Sequence, residues 1–284
     1  MKENSLNHYL QAWNLSDPQP LTETPTSHLY TVTRAGERVV LKLQTDYAWE
    51  EQRSSAALAC FGGHGAVRLY RRDEKAQLLE YADGADLVTL VEAGDDAGAT
   101  RIIAQVLNQI HSIGQPAPCE GVLPLDRWFE PLFSKAEADE RAGVESIYVR
   151  GSRVARHLLA DPRDIRVLHG DIHHRNIRQS ARGWLAFDAN GLVGERAYDC
   201  ANTLCNPYRG IPRHDDLVHN EPRLLRNAGI LADGLCIDLA RVLAFTFAYA
   251  CLNASQWWSL QDDNVVQWSL EIAEIVEPHL HLDQ

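Results

Sequence analysis

No two of the six cysteines form a C-x-x-C pair; Cys60, Cys119, Cys200, Cys205, Cys236 and Cys251 are scattered along the chain. That spacing points to neither a zinc site nor a disulfide framework, and a reducing cytoplasm is the expected setting. Long apolar runs are also missing. The greasiest stretch, residues 239–252, is interrupted by Arg241 and Thr246, falls short of the roughly 20 apolar residues a membrane span requires, and reads as a buried helix. The opening MKENSLNHYLQAWNLSDPQP has no apolar core of signal-peptide length. Positive charge is scarce too, with 27 Lys and Arg against 39 Asp and Glu and a formal balance of −12. Scattered cations make no basic face, which argues against a nucleic-acid partner. The acidity suits a cationic small molecule instead. No repeat of solenoid period is evident, and a 45% hydrophobic content over 284 residues describes a globular chain of one large domain or two lobes. A monomer or weak dimer without membrane attachment is expected.

What is present centres on residues 166–191, RVLHGDIHHRNIRQSARGWLAFDANG. Asp171 is followed five positions later by Asn176, and after twelve more by Asp188 at the end of an apolar run. Phosphoryl transfer from ATP needs a carboxylate to orient and deprotonate a hydroxyl, and two oxygen ligands for the Mg2+ carried by the phosphates. An isolated His-Gly-Asp is a common turn; the longer pattern, with a lysine-bearing strand upstream, is far more specific.

Such a strand exists. Residues 29–34 and 38–43 flank Ala35-Gly36-Glu37 and read as an antiparallel pair. Lys42 sits within the second, VVLKL. Alternation sends Leu41 and Leu43 to one face and Lys42 to the other, toward a cleft, unless the strand is an edge and the lysine faces solvent. Residues 46–61 are helical in composition and carry Glu50 and Glu51, either of which could pair with Lys42. Residues 65–70 and 76–81 supply further strands, for an expected five-stranded sheet with one helix. The composition then breaks at Ala82-Asp83-Gly84-Ala85, which divides the chain into residues 1–82 and 83–284. ATP would lie in the crevice between them, its adenine against backbone groups from Glu80 to Ala82.

Beyond the break the pattern is helical. Ile102, Ile103, Val106, Leu107, Ile110 and Ile113 recur at helical spacing and read as core. Further helices are expected at 124–142, 144–159, 195–205, 221–228, 236–258 and 265–276.

Lys42, Glu51, His169-Gly170-Asp171, Asn176 and Asp188, in this order, resemble the protein-kinase-like fold of antibiotic phosphotransferases. GGHGAVRLY at 62–70, LLEYADG at 78–84, LHGDIHHRNI at 168–177 and RGWLAFDANGLVGE at 182–195 look like the streptomycin 6-kinase and hydroxyurea phosphotransferase family over roughly residues 25–260. The resemblance implies an α+β, two-lobed fold with a small antiparallel sheet lobe and a larger helical lobe. It implies Asp171 as catalytic base, Asn176 and Asp188 as magnesium ligands, and Lys42 as the phosphate-contacting lysine. Glu51, not Glu50, falls at the family's spacing for its partner. Asp199 resembles a helix aspartate that accepts hydrogen bonds from the catalytic-loop backbone, with His169 as further support. HGD lacks the arginine of regulated protein kinases, DAN replaces their aspartate-phenylalanine-glycine triplet, and only a short link joins Asp188 to Glu195. An always-competent small-molecule kinase is implied.

No glycine stands in TPTSHL at 24–29, where protein kinases carry a phosphate-covering loop, so the hydroxyls of Thr26 and Ser27 take that role or the segment is an ordinary loop. His173 and His174 read as loop-fixing hydrogen-bond groups, since no fourth zinc ligand stands at usable spacing. Arg175 is a phosphate contact or surface. For the acceptor side the choices are Asp215, Asp216, Glu221, Asp262 and Asp263, with Trp257 and Trp258; carboxylates would pair with ammonium or guanidinium groups and an indole would cover a sugar ring. At least one of the adjacent tryptophans is expected in the core. Rival readings are a metabolite kinase of choline- or fructosamine-kinase type, a kinase acting on protein, and a catalytically silent nucleotide-binding module.

Overall fold

The computed structural model of the chain describes residues 2–45, 51–113, 119–207 and 217–280. Helix α1 (Lys2–Ala12) leads into strands β1 (Ser16–Glu23), β2 (Ser27–Arg34) and β3 (Glu37–Gln44); helix α2 (Glu51–Phe61) and strands β4 (Leu69–Arg72) and β5 (Ala76–Glu80) follow. The strands form one antiparallel sheet in the order β1-β2-β3-β5-β4. Two of these elements carry no sequence signal of the kind sought above. β1, SDPQPLTE, holds Pro18 and Pro20, which are tolerated because it is an edge strand. α1 covers the outer face of the sheet, where Tyr9, with Trp13 and Leu15 just beyond the helix, packs with Val32, Val39, Leu41, Leu43 and Leu78. The sheet therefore has two helices against it rather than one.

Alternation along β3 decides what each face carries. Val39, Leu41 and Leu43 belong to the cluster under α1, whereas Val40 joins the main core with Ala57, Leu58 and Phe61 of α2. Lys42 shares the Val40 side. β3 is the middle strand of five and Lys42 is only 6% exposed, so the solvent-facing alternative does not hold.

The remainder is mainly helical. It comprises α3 (Val88–Glu92), α4 (Asp96–His111), strand β6 (Leu123–Pro124), α5 (Leu125–Trp128), α6 (Glu130–Arg141) and α7 (Ile147–Ala160). Strands β7 (Ile165–Leu168), β8 (Ile177–Ser180), β9 (Gly183–Ala186) and β10 (Leu192–Glu195) come next, then α8 (Tyr198–Leu204), α9 (Glu221–Leu235), α10 (Leu239–Ser259) and α11 (Asp263–Val276). β10 lies between β6 and β7, and β8 and β9 form a separate hairpin. α9 runs past Ala228 because Leu231, Ala232 and Leu235 continue its buried face. α10 is buried almost all round, the expected home of a helix without a polar face. The two polar residues that interrupt it are both satisfied. Arg241 Nε donates to Glu195 Oε1 at 2.6 Å, and Thr246 returns its hydroxyl to Val242 O at 2.7 Å. Among the described residues no helix is long and apolar enough to cross a membrane.

One cysteine expectation is corrected. Cys60 and Cys119, 59 residues apart, meet as a disulfide with Cα atoms 6.6 Å apart. Sequence spacing could not indicate this pair, because it depends on the segment near Gly121 folding back onto Ala56 of α2.

Candidate active site

β7 delivers His169-Gly170-Asp171 into a tight loop. Gly170 has φ +78, and a Cβ there would stand 2.8 Å from Leu192 Cδ1, so the turn needs glycine. Helix α8 holds the loop from below. Asp199 accepts from the N–H groups of His169 (3.0 Å) and Gly170 (2.7 Å), and its Oδ2 lies 2.8 Å from His111 Nε2. Thr203 donates its hydroxyl to Ile172 O at 3.0 Å. Asn202 donates Nδ2 to Asp171 Oδ1 at 2.5 Å, while Asn176 Nδ2 reaches Asp171 Oδ2 at 3.0 Å and Asp171 O at 2.9 Å. Two amides thus clamp one carboxylate. Sequence reasoning found Asp199 and missed Asn202 and Thr203, although three- and four-residue spacing along one helix was the available signal.

The histidines are loop supports. His169 Nε2 lies 3.1 Å from Phe187 O and its Nδ1 accepts from Asp171 N at 3.2 Å, which makes Nε2 the protonated nitrogen. Burial holds this ring below the usual imidazole range against the pull of Asp199, so it is neutral. His174 is fully buried as well; burial, with Arg223 nearby, pushes it down to about 3. His173 caps the loop, its Nδ1 accepting from Arg175 N at 3.2 Å.

Asn176 and Asp188 leave the same end of the β8–β9 hairpin. Ile177 pairs with Ala186, and Phe187 N donates to Asn176 O at 3.0 Å, which brings the next residue, Asp188, alongside. Asp188 has φ +63, a left-handed conformation uncommon for a residue with a Cβ. Lys42 Nζ donates to Asp188 Oδ1 at 2.8 Å. Burial pushes this carboxyl up, but the Lys42 charge and hydrogen bond outweigh it and hold the group below the usual carboxylate range. Glu50 and the side chain of Glu51 lie outside the described residues.

Two cavities adjoin this centre. The first, about 340 Å3, is lined by Leu29, Val40, Val67 and Leu79 of the sheet side, by Glu80, Tyr81 and Ala82, and by Arg175, Arg178 and Phe187. The Glu80 carboxylate is committed elsewhere, to Arg182 Nε at 2.8 Å and Arg68 N at 3.0 Å, and its backbone N–H donates to Arg68 O at 2.9 Å, so of its polar groups only the carbonyl is left to face a ligand. Ser27 is not part of this wall. Its side chain is buried in the β1–β2 turn, with its hydroxyl 3.2 Å from that of Thr24, so Ser27 does not offer its hydroxyl to the phosphates as one of the two readings expected.

The second cavity, about 430 Å3, starts at Asp171 and Asn202 and runs past Asn206, Tyr249 and Asn253 to Trp257 and Trp268. Most of the expected acceptor-side residues are not in its wall. Asp215 and Asp216 lie outside the described residues. Glu221 begins α9 in a different cleft with His219, Glu271 and Glu274, 2.7 Å from His279 Nε2. Asp262 caps α11 by accepting from Val265 N at 3.3 Å, and Asp263 is in that helix's first turn. Trp258 is 55% exposed with the Lys135 ammonium 5.2 Å from its ring centre; its neighbour Trp257 is the one that lines the cavity. Neither is core, since the last turns of α10 run out toward solvent.

An antiparallel sheet joined to a mainly helical part, with an aspartate-bearing loop beside a crevice, defines a kinase-like α+β fold. A solved aminoglycoside phosphotransferase in ternary complex with AMP-PNP and hygromycin B matches it with a TM-score of 0.65 at 13% identity, over 97% of this chain and 99% of that one. The sequence profile of the aminoglycoside/hydroxyurea antibiotic resistance kinases matches residues 12–262. The chain is 32% identical over 255 residues to streptomycin 3''-kinase of Klebsiella pneumoniae, covering 89% of this chain and 91% of the relative. It is 30% identical over 261 residues to streptomycin 6-kinase of Streptomyces griseus, covering 88% and 80%. The chain belongs to the aminoglycoside/hydroxyurea antibiotic resistance kinase family, and it is a phosphotransferase that acts on a hydroxyl group.

Proposed function

We propose that this chain transfers the γ-phosphoryl group of ATP to a hydroxyl of a streptomycin-type aminoglycoside, in line and without a phosphoenzyme. The observation that carries the reading is the position of Asp171, on the wall of one cavity and bonded to Asn176, whose backbone pairing with Phe187 brings Asp188 and its Lys42 partner alongside. ATP occupies the first cavity, its base between apolar side chains such as Val40, Leu79 and Phe187 and its edge against the backbone of Glu80 to Ala82. Residues 1–82 and 83–284 then act as the two lobes around it. The acceptor fills the second cavity, where the amides of Asn202, Asn206 and Asn253 suit hydroxyls and the rings of Trp257 and Trp268 cover sugar faces.

Asp171 accepts the hydroxyl proton as the acceptor oxygen bonds to phosphorus and the bond to the β–γ bridging oxygen breaks, its electron pair leaving with ADP. Asn176 and Asn202 keep the carboxylate aimed during this step. Lys42 offsets phosphate charge, and Asp199 and His169 hold the loop. Positioning and electrostatics supply most of the acceleration. The donor set fits magnesium. Asn176 commits Nδ2 to Asp171, which turns its amide oxygen away, and Asp188 keeps a carboxyl oxygen beyond the one Lys42 binds. When bound there, the ion supplies charge neutralisation on the phosphates.

Phosphorus NMR of the purified protein with MgATP tests this against streptomycin, other aminoglycosides and hydroxyurea. A new phosphomonoester resonance with a streptomycin-type acceptor is expected. A blank panel, with transfer to choline or a fructosamine instead, would move the assignment to a metabolite kinase.

A further inference from the structure

We propose that Arg175 is a catalytic residue, its guanidinium contacting the phosphoryl group as it passes from nucleotide to acceptor. This rests on the phosphotransfer assigned above. Among the described residues Arg175 is the one shared by both cavities, lining the nucleotide crevice and the Asp171 cavity alike. Arg178, the other arginine nearby, lines the nucleotide crevice and not the second cavity.

The turn that presents Arg175 is fixed from several sides. Its N–H donates to His173 Nδ1 at 3.2 Å, Asn176 N donates to His173 O at 3.0 Å, and Leu87 N donates to His174 O at 3.1 Å. The His174 ring beside it is fully buried while Arg175 itself is exposed. A rigid backbone thus carries a long charged side chain at the passage between two binding spaces.

Electrostatics gives the arrangement a purpose. A cation in the wall of the acceptor cavity works against a cationic acceptor, so its presence there is explained by what arrives from the other side. The equatorial oxygens of a transferring phosphoryl group hold delocalised negative charge, which a planar guanidinium with parallel donors matches closely. Arg175 donates to those oxygens while the new oxygen–phosphorus bond forms and the bridging bond breaks, and it returns unchanged. Asp171 keeps the proton.

The test uses the full-length Arg175→Ala and Arg175→Lys variants, with kcat and KM for both substrates and the Kd of AMP-PNP. The alanine variant should lose about 100-fold in kcat while its AMP-PNP Kd stays near the wild-type value; lysine should restore only part, and added guanidinium should partly rescue alanine. Unchanged kcat, or a loss carried wholly by nucleotide Kd, overturns the proposal. If the alanine variant folds poorly by circular dichroism, the lysine variant decides, and full turnover there overturns it equally. A wild-type protein silent toward every acceptor sinks the proposed function and this inference together. An active wild type with an unimpaired Arg175→Ala sinks this inference alone.

Discussion

Asp171 owes its orientation to amides from two elements, Asn176 within its own loop and Asn202 on α8. Asp171→Asn keeps the volume and removes the proton acceptor, so kcat should fall by about 10³-fold, within the range of general-base effects, while titration with AMP-PNP shows Kd retained. Undiminished turnover in that variant would falsify the base assignment. His174 makes a different prediction. Its folded value is about 3 against an ordinary 6.5, so between those limits the unfolded chain binds a proton that the folded chain refuses. Stability therefore falls as pH drops below about 6.5, with a share from this ring approaching about 1.4 kcal/mol per pH unit. His169, held neutral by burial, acts in the same direction. Urea unfolding from about pH 7 to about pH 5 should show the loss, and His174→Gln should flatten it; an equal slope in the variant rules this source out. At this scale the coming together of Asp171, Asn176 and Asp188 was legible because their spacing is local. Asn202 was not, because its meaning appears only when α8 lies under the loop.

Among the elements, the β8–β9 hairpin connects the two sides of the crevice. At its turn Arg182 donates to the Glu80 carboxylate at the end of β5, to Gly63 O (2.9 Å) and to Ala66 O (3.1 Å). Gly84 N donates to Gln179 O and Gln179 N to Ala85 O, both at 3.0 Å. The hairpin whose ends carry Asn176 and Asp188 is thereby fastened to the strand that walls the first cavity. Arg182→Ala should raise the KM for ATP by about tenfold, since hydrogen bonds to charged groups contribute about 1.5–3 kcal/mol, with the acceptor KM unchanged. Initial rates with each substrate varied check this, and an unaltered ATP KM would show the fastening to be dispensable. The periodic helices and the β2–β3 pair were readable from apolar spacing, whereas β1 was hidden by its prolines and α1 by its polar composition. Their stability comes from the sheet, which β1 extends and α1 covers.

Across the whole molecule the sheet separates two apolar clusters, one under α1 and one continuous with α2 and the helical part. Trp13, 8% exposed, anchors the first. Trp13→Ala should cost about 3–5 kcal/mol, the usual range for removing a buried indole, yet leave AMP-PNP binding intact below the unfolding transition, because the crevice is on the opposite face. Urea melts with and without nucleotide measure both effects, and lost binding in the still-folded variant would contradict the separation. The sequence by itself determined the alternation that turns Lys42 away from Leu41 and Leu43, the helical runs, and the order of Asp171, Asn176 and Asp188, since each depends on neighbours a few residues away. Only the tertiary structure decided that Arg175 borders both cavities, that Glu80 is taken by Arg182, that Glu221 and Asp262 stand apart from the Asp171 cavity, and that Cys60 meets Cys119. Those outcomes follow from how segments tens of residues apart approach and desolvate one another, and no local pattern of side chains encodes that approach.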